Sequence, residues 1–305
     1  MAKLLVISIL IEKQMKKNFI HIIIATLLFS NYLYSQGIYN NGGKIVINQN
    51  VHLVVDGDIT QEEVGSSEGT ISLSGVLHIS GDYANNNSNS NGLFLNGVAN
   101  QLSFIGTNEQ NIFSLADNEF NFQNVSISDG ALLNIGSNKV KILETLELGG
   151  TDFCLNIGSI DFEVLGGITG NGLINVANAG ELVLTPTQNE ATVFPIGNGT
   201  YNQSVSITPI NTPSEKIRIR INDDKNVDGT IVGDMDFWAI DFEENLNATL
   251  KLRVEKAAIT PTEIHENIGI RYYDGSAYTL YPQENVSVEE FSTYYIITIT
   301  SVNQF

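Results

Sequence analysis

DKNVDGTIVGDMD, residues 224–236, sets short oxygen-bearing side chains at alternate positions: Asp224, Asn226 and Asp228, followed by Gly229. This is the opening D-x-[DN]-x-[DN]-G of a calcium loop, in which alternate carboxylates and amides converge on one cation and the glycine permits a sharp turn. Thr230 would add a backbone carbonyl, and Ile231 stands where such loops carry an apolar residue. Met235 takes the place of the bidentate Glu, so Asp234 and Asp236 beside it are the substitutes. The candidate ligands are therefore Asp224, Asn226, Asp228, Thr230, Asp234 and Asp236, and calcium is the one cofactor that the residues suggest. The competing reading is an Asn/Asp/Gly-rich hairpin loop between KIRIRI and DFWAIDF.

Elsewhere the chemistry is thin. A glycoside hydrolase needs two carboxylates a few ångströms apart. The closest pair in the repeats is Asp56 and Asp58, in VDGD; the equivalent SGD keeps Asp82 but has Ser80 in place of Asp56, which reads as turn chemistry. His52 and His78 fall in equivalent phrases at slightly different registers and could stack on adjacent coils and bind metal, but no Cys or third His accompanies them to complete a metal site. Cys154, in FCLNIG, has no partner for an intramolecular disulfide and reads as a small buried hydrophobe. No G-x-S-x-G elbow or Gly-rich phosphate loop is present. No catalytic residue is assigned, and the chain is read as a protein without enzymatic activity.

The charge balance excludes a further class. Fifteen Lys+Arg stand against 34 Asp+Glu, a formal charge of -19 in 305 residues. Nucleic acid binding needs clustered cations. Here Arg218, Arg220, Arg253 and Arg271 all lie in the last third, and only Lys44, Lys139 and Lys141 lie between Gln36 and Lys216. The same scarcity argues against an anionic membrane surface and against a lyase that must meet uronate carboxylates.

These residues need elements to hold them. From Met15 the chain runs through Lys16 and Lys17, an apolar run from Phe19 to Phe29, and a polar stretch ending in the small Ser35. That is the layout of a secretory signal peptide over residues 1–35, with residues 1–14 read as a misassigned start. No other stretch is long and apolar enough to span a membrane.

After the leader, apolar doublets recur, starting at Leu53, Leu77, Leu102, Val125, Leu146, Phe162 and Leu182. Each alternates apolar and polar residues, which makes a strand with one buried face. A spacing of about 20 residues is that of one solenoid coil. Gly and Asn, which tolerate left-handed backbone, punctuate the gaps. NNNSNSNG (85–92) reads as an exposed loop. Beyond Pro186 the strands lengthen and turns come about every 10 residues, as in a sandwich. Trp238 is expected to be buried there. The expected fold is all-β: a right-handed β-helix (β-solenoid) over 37–188, then an immunoglobulin-like β-sandwich over 189–305.

Two stretches resemble a known family. Asn124-Val125-Ser126-Ile127 and Val140 to Gly149 are similar to the coil strands of large secreted repeat proteins that use the type IX (Por) secretion system of Gram-negative bacteria. The second match departs from the pattern at Leu143-Glu144, where Gly is usual. VFPIGNGTYNQSVSITP (193–209) resembles the start of that family's following sandwich, with DFWAIDF (236–242) at its Trp strand. The likeness covers most of 37–305. It implies export through the secretion machinery, a secreted or outer-surface location, and adhesion. Members end in a C-terminal sorting domain, which is not seen here after TSVNQF. The expected function is a non-enzymatic, adhesin-like protein presenting loops to extracellular polysaccharide or a cell surface; the alternative is a carbohydrate-active enzyme or accessory module built on a β-helix.

Overall fold

A computed structural model describes residues 32–88, 92–95, 100–114, 119–136, 139–176, 180–213, 216–222, 237–241, 246–258, 271–273 and 278–302. Among them there is no α-helix, and the N-terminal part is a β-solenoid of about 6 turns. Each coil lays one short strand on each of three faces. The first face is a seven-stranded parallel sheet running from Tyr32–Ser35, an edge strand that falls within the expected leader, and His52–Val55 to Thr145–Leu148 and Gly167–Gly170. The second begins at Ile38–Asn41 and Ile59–Val64 and ends at Leu173–Asn175 and Ile196–Gly197. The third is in two parts, Lys44–Ile47 with Thr70–Leu73 and Leu93–Leu95, then Phe120–Phe122 through Glu181–Leu184.

The alternation sets the strands and the register stacks them. Leu53, Leu77, Leu102, Val125 and Leu146 pair in one column on the first face, as five of the doublets require. The sixth residue of that column is Ile168, not Phe162. Phe162 and Leu182 lie on the third face, in a column with Phe120 and Val140. The short step from Leu146 to Phe162 is a change of face within one coil. Alternation marks a strand but does not say which side of the coil it occupies.

The interior also holds amides. Asn40, Gln61 and Asn85 follow one another in register on the inner side of the second face, all buried. Of the expected exposed loop 85–92, residues 89–91 lie outside the described residues and Ser88 is exposed, but Asn85 and Asn87 are both 0% exposed. Asn87 Nδ2 donates to Gly69 O (2.7 Å) and to Asn85 Oδ1 (2.8 Å), while Gly69 N donates to Asn87 Oδ1 (3.2 Å). A chain turning a corner there leaves backbone groups outside the strand ladders, and buried groups of that kind need partners. The asparagines supply them.

Past Leu184 the third face does not end. Leu182, Val183 and Leu184 pair antiparallel with Ile219, Arg218 and Ile217, and the strand Ile217–Asn222 pairs in turn with Phe237–Asp241. The expected boundary near residue 188 is thus crossed by one continuous sheet. A five-stranded antiparallel sheet, in the order Thr192–Phe194, Val205–Pro209, Ala248–Glu255, Tyr294–Val302, Val286–Glu290, completes a sandwich-like cap. One apolar core runs from Ile47 to Ile299 through both parts. Trp238 packs half-buried against that core and donates Nε1–H to Gln203 O at 2.7 Å.

Ion pairs bind the junction from outside. Lys216 and Lys141 meet Glu163 at 2.5 and 3.6 Å. Arg218 reaches Asp161 (3.2 Å) and Glu181 (3.5 Å), and Arg220 reaches Glu181 (3.0 Å). Solvent-facing pairs are each worth no more than about 1 kcal/mol. They occupy four of the cations that an acidic chain has in short supply. No helix among the described residues is long and apolar enough to cross a membrane.

Candidate functional site

The calcium candidates Asp224, Asn226, Asp228, Thr230, Asp234 and Asp236 lie outside the described residues. The strands on either side form the expected hairpin, with Asn222 opposite Phe237. Among the described residues, no group of three or more His, Cys, Asp or Glu is placed to hold a metal ion.

The carboxylates of the first coils are engaged in stacking. Asp56 Oδ1 accepts from Ser80 Oγ at 2.9 Å, and Asp58 Oδ1 accepts from Asp82 N at 2.8 Å. Asp82 Oδ1 accepts from Asn111 N at 2.7 Å. Each carboxylate ties its coil to the next, which is the turn role that the repeated Gly-Asp suggests. Cys154 is buried, its Sγ 3.7 Å from Leu173 O, and burial pushes the thiol up to about 11.

His52 and His78 do meet. His52 Nδ1 and His78 Nε2 are 3.4 Å apart, with ring centroids 5.7 Å apart and planes 15° from parallel. Those values place both rings nearly in one plane, nitrogen facing nitrogen, so one imidazole donates to the other. Burial, and then the neighbouring His52, hold the His78 pKa below its ordinary 6.5. The folded chain therefore resists taking up a proton that the unfolded chain accepts. This contribution to stability is intact above pH 6.5 and is lost as the pH falls from there through the depressed folded value. The urea midpoint should fall between pH 7.5 and pH 5.5, and fall less in His78→Gln. Equal falls in both proteins would remove His78 as the cause.

A gap in the solenoid interior between Ile112, Phe122 and Leu133 has a volume of about 10 Å³ and a wholly apolar lining. On the second face, Asn111, Asn134, Asn156 and Asn175 stand on four successive strands in register, all half-buried. Their amides form a ladder. Asn156 Nδ2 donates to Asn134 Oδ1 at 2.6 Å, Asn134 Nδ2 to Asn111 Oδ1 at 3.3 Å, and Asn111 Nδ2 to Asp82 Oδ1 at 3.1 Å. Asn134 also donates to Glu109. The direction is uniform: donors point toward the N-terminal coils and the run ends on a carboxylate.

Parallel strands lie about 4.8 Å apart, so the amides repeat at that spacing. A primary amide has two N–H groups and an oxygen with two lone pairs. Asn111 and Asn156 each use one N–H in the ladder and keep a second. The face can therefore exchange hydrogen bonds with a hydroxyl-rich surface at several points at once. The signal was in the sequence: each ladder asparagine precedes an apolar residue, in Asn111-Ile112, Asn134-Ile135, Asn156-Ile157 and Asn175-Val176. Reading the doublets for their apolar phase alone passes over it.

Fold and site together define a class: a parallel β-solenoid, closed at one end by an antiparallel cap, with an in-register amide ladder on one outer face. The chain matches no family model, no curated protein and no solved structure.

Proposed function

We propose that this is a non-enzymatic, adhesin-like protein, exported by its N-terminal leader to the outer cell surface or the medium. Its solenoid holds a polar face, and its cap, read as immunoglobulin-like, holds further surface. Both serve weak, multivalent contact with extracellular polysaccharide or a neighbouring cell. The observation that carries the reading is the amide ladder of Asn111, Asn134 and Asn156. Individually weak contacts gain strength when a rigid scaffold repeats them, because each further one forms at high effective concentration. Lys141, Lys216, Arg218 and Arg220 are engaged with carboxylates at the junction and the chain is acidic overall, which favours hydroxyl-bearing over phosphate-bearing partners.

The test is retention of the chain from residue 36 onward on insoluble polysaccharides. The wild type should be retained, and the triple variant Asn111→Ala, Asn134→Ala, Asn156→Ala should be retained at least tenfold less while keeping its circular dichroism. Undiminished retention of the triple variant, or no retention of the wild type on any polysaccharide or cell, would overturn the reading.

A further inference from the structure

The cap has a second surface, unrelated to the ladder. One side of the five-stranded sheet is core: Ile207, Leu250, Leu252 and Ile297 are buried there. On its other side runs an open cleft of about 370 Å³, lined by Ser204, Ser206, Lys251, Arg253, Glu289 and Phe291 among others. That volume is in the range of small-molecule sites. Strand pairing fixes the layout. Val193 lies opposite Ser206, and Ser206 opposite Lys251. One step along, Arg253 lies opposite Ile296, and Ile296 opposite Glu289. Donors therefore stand on the middle strand and a carboxylate on the edge strand, with Ile296 between Arg253 and Glu289 and Thr298 beside Lys251.

The wall of the cleft is preorganised. Arg253 Nε and Nη2 donate to Glu255 Oε1 at 2.9 and 2.8 Å. Its guanidinium lies 3.8 Å from the centroid of the Tyr294 ring. Phe291 stacks on the same ring at 4.6 Å, 15° from parallel. A parallel ring and a guanidinium cannot share one ring face at these distances, so both faces of Tyr294 are covered. Phe291 is left as the aromatic surface of the cleft.

The ligand class follows from this inventory. Lys251 and Arg253 are balanced by Glu255 and Glu289, so neither a polyanion nor a polycation meets a matching net charge. A chain of formal charge -19 also repels polyanions at longer range. A hydroxyl both donates and accepts, so a polyol can satisfy Lys251 and Glu289 together. The apolar side of a sugar ring suits Phe291. We infer that the cleft between Lys251, Glu289 and Phe291 binds a short segment of a neutral hexopyranose chain. The inference rests on the glycan reading above but not on the ladder.

Calorimetric titration of the chain from residue 36 onward with soluble hexasaccharides tests it: neutral glucose and mannose oligomers in one arm, an oligogalacturonate in the other. We expect a neutral oligomer to bind, Phe291→Ala and Glu289→Ala each to weaken binding at least tenfold, and the triple ladder variant to bind as the wild type does. Glu289 is exposed, so its replacement leaves the fold in place if Phe291→Ala does not. Binding lost in the ladder variant but kept in Phe291→Ala and Glu289→Ala would overturn the cleft and leave the ladder standing. Preference for the galacturonate would overturn the neutral class. Failure of every hexasaccharide would overturn the cleft, whether or not insoluble polymer is retained.

Discussion

Phe162→Ala is expected to cost about 3–5 kcal/mol, the range for truncating a buried phenylalanine. Phe162 is fully enclosed and sits in register between Val140 of the preceding coil and Leu182 of the next. The strands above and below are held by their own ladders and cannot close the gap, so most of the cavity term survives. The loss should also be local. In a stack where each coil touches only its neighbours, stability is a sum of nearest-neighbour terms. Hydrogen exchange should rise in Val140–Ile142, Asp161–Val164 and Glu181–Leu184, and stay low in His52–Val55 and Val76–Ile79. Uniform loss of protection along the whole solenoid would sink that one-dimensional picture.

Gly170→Ala should cost about 3 kcal/mol or more, from two sources. Gly170 has φ +89°, where an L-residue is strained by about 1–2 kcal/mol. A Cβ there would also fall 2.0 Å from Leu148 O, in the strand below. That oxygen accepts from Asn171 N and Gly172 N at 3.2 and 3.3 Å, so moving it disturbs the passage between the last coils. Gly130 separates the two sources. Its φ is +79°, but nothing lies within 4 Å of its Cβ position, so Gly130→Ala should show only the backbone term. Melting temperatures of both variants check this. Equal losses would mean that the approach to Leu148 is not what requires glycine.

Period-2 alternation, glycine and asparagine punctuation, and the recurrence of the doublets suffice for an all-β solenoid. A strand that must bury one side, and cannot do so alone, has to stack. Five doublets reach their shared column on that basis, and the lone thiol of Cys154 is buried as its apolar phrase requires. The structure departs where the outcome depends on which segments pair. Phe162 and Leu182 repeat the same phrase on another face, because the phrase records burial and not the side of the coil. Asn85 and Asn87 read as loop residues and lie inside, because their amides meet backbone groups that only the assembled corner leaves unpaired.

The outer sites divide in the same way. The ladder asparagines are visible one by one in the sequence, but their alignment follows from register, which is a relation between strands some 20 residues apart. The cap cleft is less legible still, since Lys251, Glu289 and Phe291 come from separate strands. By itself the sequence determined strand character, coil repetition, acidity and the shortage of cations, all of which are local or additive properties. Only the tertiary structure decided which polar residues face inward, which align outward, and that the solenoid's third face continues into the cap, because hydrogen-bond pairing between distant strands sets all three.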